Sequence, residues 1–210
     1  MTTAAAEQVA PVPRDRVPWW ARVSSLLAPV LLIGGWTLAA SLQPTGFDSR
    51  TDTISALAGL GATDRWVMTV GIAGVGVCHL LTAGGLRPAA GRGRVLLAVG
   101  GAASLLVALF PLPADGGGST PHSVVAFVSF VALSVWAPYA GRRDPLAPWG
   151  LRRVVALVAG VVLGALTLWF FVGAVTGADD LGLSERLAAG AQSLWPAVVV
   201  ATVPLRYARA

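Results

Sequence analysis

The chain has 210 residues, 55% of them hydrophobic and only 12% charged, with a mean hydropathy of +0.72. A soluble domain carries roughly 25% charged residues, and half that supply cannot clothe a water-facing surface, so an ordinary soluble fold is excluded and most of the surface must face lipid. The formal charge of +5 comes from fifteen basic residues, all arginine. They sit at the ends of apolar runs rather than on one polar face, which marks membrane boundaries and argues against nucleic acid as a partner.

Residues 1–22 read as a cytoplasmic tail, disordered at first and interfacial at its end. Its first part is small, polar and proline-bearing with no periodicity, and Trp19, Trp20 and Arg22 form an aromatic-plus-cation anchor. The apolar core that follows, about 23–42, is longer than the ~7–15 residues of a signal-peptide core. It reads as a retained first span, with Ala39-Ala40-Ser41 leaving cleavage open. A bilayer core ~30 Å thick needs ~20 helical residues. Six runs meet that length, at about 23–42, 66–86, 95–112, 121–140, 154–176 and 186–204. Spans this apolar must satisfy their backbone internally and are therefore helices; the period-two alternation of a membrane barrel is absent. The expected fold is all-α and polytopic, one six-helix transmembrane domain over residues 23–205, with 206–210 as a second cytoplasmic tail.

Arginine placement sets the orientation. Twelve arginines fall on one side, and only Arg50, Arg65 and Arg186 on the other, with seven of the ten acids. The positive-inside rule then places both termini in the cytoplasm of an inner membrane. Glycines spaced for close helix approach, such as Gly160 and Gly164, fit a packed bundle. No internal repeat of the inverted-transporter kind stands out. Cys78 is the single cysteine, so no intrachain disulfide forms and the compartment's redox state is not reported. The absence of lysine and the wealth of Ala, Gly and Val point to a GC-rich, bacterial source.

Polar chemistry gathers at the outer face. Three helices start there, and their starts carry cap residues: Thr63-Asp64, Thr120 followed by Pro121, and Ser184-Glu185. For Asp64 and Glu185, capping and dipole compensation suffice as an explanation. Asp115 and His122 flank the glycines 116–118, whose freedom lets the acid fold back on the ring. Such a pair serves as general acid and base, proton relay or metal ligands, or merely closes the loop. In the long first outer loop a short interfacial helix over 51–60, capped by Thr51 or Asp52, would bring Asp48, Asp52 or Ser55 near Asp115.

His79 lies 13 residues into the second span, ~20 Å below the outer face at 1.5 Å per residue, too far from His122 to share a metal. It is expected to pack between helices against a backbone carbonyl, although an ionisable group at that depth is a functional candidate in its own right. No metal site and no cofactor is named by any motif, and HExxH, CxxC, P-loop and GxSxG patterns are absent.

Several short motifs recur in an order that resembles a known family: Asp52, Ser55, Leu57 and Gly59 in the first outer loop; Phe110, Pro111, Asp115 and His122 in the second; Gly182, Leu183, Arg186 and Trp195 in the last span. This pattern, over about residues 25–205, is similar to the bacterial membrane family catalogued as domain of unknown function 998. Pro113 and one extra residue before Asp115 depart from its tighter Phe-Pro-x-Asp. The resemblance implies a six-helix fold and an outer Asp/His site, and no reaction.

The outer site is thus expected to comprise Asp115 and His122 as an acid–base pair, with Asp48, Asp52, Ser55, Arg186 and Trp195 as binding residues. The leading reading is a membrane-embedded enzyme acting on a lipid or isoprenoid, with membrane lipids as partners and the oligomeric state open. A small transporter or proton-coupled carrier, and a non-catalytic membrane partner, are the alternatives. Polar groups at mid-membrane depth are few (His79, Thr82, Ser104, Ser129, Ser134, Thr167 and Gln192), which weighs against translocation.

Overall fold

A computed structural model describes residues 16–204. The readings of residues 1–15 and 205–210 as tails, and Arg14, Arg206 and Arg209, lie outside them. Among the described residues there is no strand. Six long helices, α1 (Trp19–Ser41), α3 (Trp66–Gly85), α4 (Gly91–Leu109), α5 (Thr120–Ala140), α6 (Arg153–Thr176) and α7 (Leu181–Ala201), are joined by loops, the longest of which carries a single-turn α2 (Ile54–Leu57), and by a 3-10 turn at Trp149–Leu151.

Five of these, α1, α3, α4, α5 and α6, are long and apolar enough to cross a membrane. The chain is a multi-pass integral membrane protein. The sixth, α7, is of similar length but carries Glu185, Arg186 and Gln192, and these lower its apolarity. It also starts a turn earlier than hydropathy places it, at Leu181 rather than near 186. Polar residues inside a helix hide its end from a hydropathy reading.

The six long helices form a closed ring. Each packs on its two neighbours in the order α1, α3, α4, α5, α6, α7, and α7 returns to α1. Small residues set the seams. A methyl group on Gly76 would stand 2.7 Å from the Gly101 carbonyl oxygen, and one on Gly101 2.8 Å from that of Gly76; α3 and α4 touch backbone to backbone there. The Gly160/Gly164 spacing is used at one end only. A methyl on Gly160 would lie 2.6 Å from the Pro138 ring of α5, whereas Gly164 has nothing within 4 Å. The large apolar side chains of α6, such as Val154, Val161, Leu168 and Val175, are exposed, which only a lipid surround makes favourable.

The seams also carry paired hydroxyls. Ser24 and Thr82 meet at 2.9 Å between α1 and α3, Ser104 and Ser129 at 2.9 Å between α4 and α5, and Ser134 and Thr167 at 2.8 Å between α5 and α6. Gln192 of α7 joins the last pair, its Nε2 lying 3.0 Å from Ser134 Oγ, 2.9 Å from Thr167 Oγ1 and 2.9 Å from the Phe130 carbonyl. These hydroxyls and the Gln192 amide nitrogen are thereby satisfied inside an apolar bundle.

At the arginine-rich end, guanidinium groups close helix C-termini. Arg22 donates to the carbonyls of Val200, Val203 and Pro204 at the end of α7, and Arg94 to those of Ala83 and Gly84 at the end of α3. A cation there satisfies orphan carbonyls and the negative end of the helix dipole together.

Candidate functional site

The opposite end of the ring is covered by loops. The first loop, 42–65, folds over the start of α7 and is held by two adjacent residues of that helix. Glu185 accepts hydrogen bonds from the backbone amide of Ile54 and from Ser55 Oγ, the latter at 3.0 Å. Arg186 Nη1 donates to the carbonyls of Ser49, Asp52 and Gly182 at 2.7, 2.6 and 2.9 Å, and the Leu183 amide to Arg50 O at 2.9 Å. Ser184 and Glu185 therefore do not start α7. Asp180 precedes its first turn, and both residues are buried within the helix. Glu185 caps a different helix, taking the first free amide of α2, while Thr53 accepts from the Ala56 amide at 3.0 Å. The interfacial helix is shorter than expected, four residues rather than ten, and its cap is Thr53 rather than Thr51 or Asp52.

Other caps shift by a residue or two. The α3 start is at Arg65 with no side-chain cap; Asp64, at φ +46°, instead accepts from the Trp66 indole at 3.3 Å. For α5 the cap is Ser119, whose hydroxyl accepts from the His122 amide at 3.4 Å, with Thr120 inside the helix.

The expected outer-site residues divide into separate groups. Asp52 accepts from the Asp48 amide at 2.8 Å, and Asp48 from the Arg50 amide at 2.8 Å, so both carboxylates shape the exposed part of the first loop. Ser55 and Arg186 belong to the clamp on α7. Asp115 is exposed and accepts from the Gly117 amide at 2.9 Å within its own turn. His122 is buried, with Nδ1 2.8 Å from the Phe110 carbonyl. No hydrogen bond joins Asp115 to His122 among the described residues. The two loops do meet through backbone, Leu60 N donating to Leu112 O at 2.9 Å. Trp195 stands apart. It lies nine residues along α7 from Arg186, ~13 Å down the helix, and packs edge-on against Trp149 with ring centroids 6.3 Å apart.

Within the ring lies a cavity of about 70 Å³ lined by α1, α2, α3, α4, α5 and α7. Its walls are mostly apolar, and its polar members are Ser55, His79, Ser104, Ser129, Glu185, Gln192 and Ser193. Ile54 and Ser55 form its roof, so the clamp by Glu185 holds the roof in place. His79 is wholly buried, and neither ring nitrogen has a hydrogen-bond partner. This corrects the expected carbonyl bond. In α3 every nearby carbonyl is already paired within the helix, and Gly101, across the seam, leaves room for the imidazole: a methyl there would stand 3.0 Å from the His79 Cβ.

An unpaired buried imidazole costs on the order of 1–3 kcal/mol. A group kept at that cost, facing a cavity and inside a membrane bundle, is a candidate functional group. The cavity holds two titratable side chains, His79 and Glu185, from elements far apart in sequence. Sequence reading reached His79 through its depth in an apolar run. It assigned Glu185 to capping, because the start of α7 was placed one turn late. No group of three or more His, Cys, Asp or Glu suited to a metal occurs among the described residues.

No curated protein and no solved structure matches the chain. A family described as protein of unknown function, DUF998, matches residues 26–202, a stretch that takes in all the long helices but the first turns of α1, both loops at the end opposite the arginine caps and every wall of the cavity. The chain is therefore a member of the DUF998 family.

Proposed function

We propose that the protein is a small carrier of the bacterial inner membrane, with six spans and both termini in the cytoplasm, that takes a proton or a small polar solute into the ring through its outer end. The observation that carries this reading is the unpartnered His79 imidazole facing a cavity roofed by α2 and Glu185. Ionisable groups inside membrane bundles serve ion pathways and relays. The few mid-depth polar groups that weigh against translocation when counted along the chain are not scattered. His79, Ser104, Ser129 and Gln192 line one cavity. The arginine caps on α3 and α7 support the orientation, since the cation-rich end is expected to face the cytoplasm.

The reading as an enzyme acting on a lipid or isoprenoid, with His122 and Asp115 as its acid–base pair, requires more rearrangement. The Asp115–Gly117 turn would have to open and the imidazole leave the Phe110 carbonyl. A cavity of about 70 Å³ is also far below the ~300–1,000 Å³ of sites for drug-sized ligands, whereas it has room for a few waters.

The test is proton flux in vesicles containing the purified protein and an internal pH-sensitive dye, driven by a potassium diffusion potential. Flux above that of protein-free vesicles, lost in His79→Leu, is the expected result. Identical traces for protein-containing and protein-free vesicles would overturn the proposal.

A further inference from the structure

The hydrogen-bonding balance of the cavity points to its guest. Glu185 accepts one bond on each oxygen, from Ser55 Oγ and Ile54 N, and a carboxylate offers about four lone-pair sites. Gln192 spends its Nε2 on Phe130, Ser134 and Thr167, while its Oε1 has no partner among the described residues. Ser104 and Ser129 both lie within hydrogen-bond distance of Gly100 O, at 2.9 and 3.3 Å, and of each other at 2.9 Å. Their two protons are committed there, and lone pairs remain. The Ser55 proton is committed to Glu185. A neutral His79 adds one acceptor and one donor. The site is thus rich in acceptors and short of donors.

Charge points the same way. Glu185 is the one acid among the lining residues, and no Arg is among them. The neighbouring Arg186 directs Nη1 to the loop carbonyls of Ser49 and Asp52 instead. A guest with several N–H donors and one positive charge would meet these acceptors and balance the carboxylate. An anion would face Glu185 with one donor to hold it.

We propose that the cavity is a binding site for a small cationic hydrogen-bond donor of the ammonium or short primary-amine class, held by Glu185, Gln192 Oε1, the Ser104–Ser129 pair and the unpartnered acceptor nitrogen of His79. This deepens the carrier reading and rests on it for function, but the binding itself is independent of transport.

The experiment is thermal unfolding of the detergent-purified full chain in ammonium chloride or methylammonium chloride against potassium chloride at equal ionic strength. A ligand that binds only the folded state raises Tm, and the expected rise over potassium is about 5–10 °C near saturation. His79→Leu and Glu185→Gln should each abolish most of it. If Glu185→Gln does not fold, His79→Leu carries the test, because the imidazole it removes makes no bond in the fold. Equal Tm in ammonium and potassium, or a rise that survives His79→Leu, would overturn the assignment. Proton flux without an ammonium-specific rise rejects this guest and leaves the carrier reading standing. A rise without flux keeps the binding site and rejects the carrier.

Discussion

Glu185 of α7 accepts the backbone amide of Ile54, the first residue of α2, across 131 positions of sequence. One carboxylate thereby caps a four-residue helix that has too few internal bonds to hold itself, and this helix forms the roof of the ring. Position 185 thus couples the last long helix to the first loop, and the state of the roof depends on it.

Removing that acceptor strands a buried N–H. Glu185→Ala is expected to destabilise the protein by about 1–3 kcal/mol. Glu185→Gln, which keeps one carbonyl oxygen, should cost less. Ser55→Ala, which removes a single hydroxyl donor, is expected to cost about 1 kcal/mol. Unfolding in detergent with increasing denaturant measures the order. Equal costs for Ala and Gln at position 185 would mean that the amide of Ile54 is held by something else.

His79 makes the opposite forecast. Its ring has no partner to lose, so His79→Leu, of similar volume, relieves an unpaired polar burial. Stability is expected to stay level or rise by about 1 kcal/mol, while proton flux falls to the protein-free level. A histidine serving the fold alone would produce a loss of stability instead, and the same unfolding experiment distinguishes the two.

At the other end, Arg22 holds the final carbonyls of α7 with a forked guanidinium. Arg22→Lys keeps the charge and loses the fork. Faster amide exchange over Val200–Val203 is expected in Arg22→Lys, and faster still in Arg22→Ala. Exchange elsewhere, at α5 for example, should not change.

Orientation has a direct check. Cys78, the chain's one cysteine, is buried, so single cysteines placed at Gly117, Arg92 or Arg143 report alone. A membrane-impermeant maleimide applied to intact cells should label Gly117→Cys and reach Arg92→Cys and Arg143→Cys only after permeabilisation. The reverse pattern would invert the topology and place the roof of the cavity in the cytoplasm.

Close approach makes the seam of α3 and α4 sensitive to added volume. Gly101→Ala would put a methyl 2.8 Å from the Gly76 carbonyl and 3.0 Å from the His79 Cβ. Overpacking of this kind costs typically about 1–3 kcal/mol. It should also displace the imidazole, so flux falls together with stability, in contrast to His79→Leu. Gly164→Ala, with open space around it, should change neither.

The sequence alone determined whatever depends on local chemistry. Hydropathy over ~20 residues placed five of the long helices to within a few residues, because burial of a helix in lipid is decided one span at a time. It failed at the start of α7, where Glu185, Arg186 and Gln192 dilute the apolar signal and only their tertiary partners make them at home. The arginine asymmetry is also read without a fold, and the orientation it implies is what the maleimide labelling tests. The candidate site lay beyond such reasoning. Asp115 and His122 are seven residues apart, yet each is taken by a backbone group close at hand. Glu185 and Ser55, 130 residues apart, are bonded, and His79 shares their cavity. Which helices are neighbours in the ring, and which faces they turn inward, follows from how small residues and hydroxyl pairs fit across seams. That fit is a property of pairs of helices, and a single chain read in order carries no record of it.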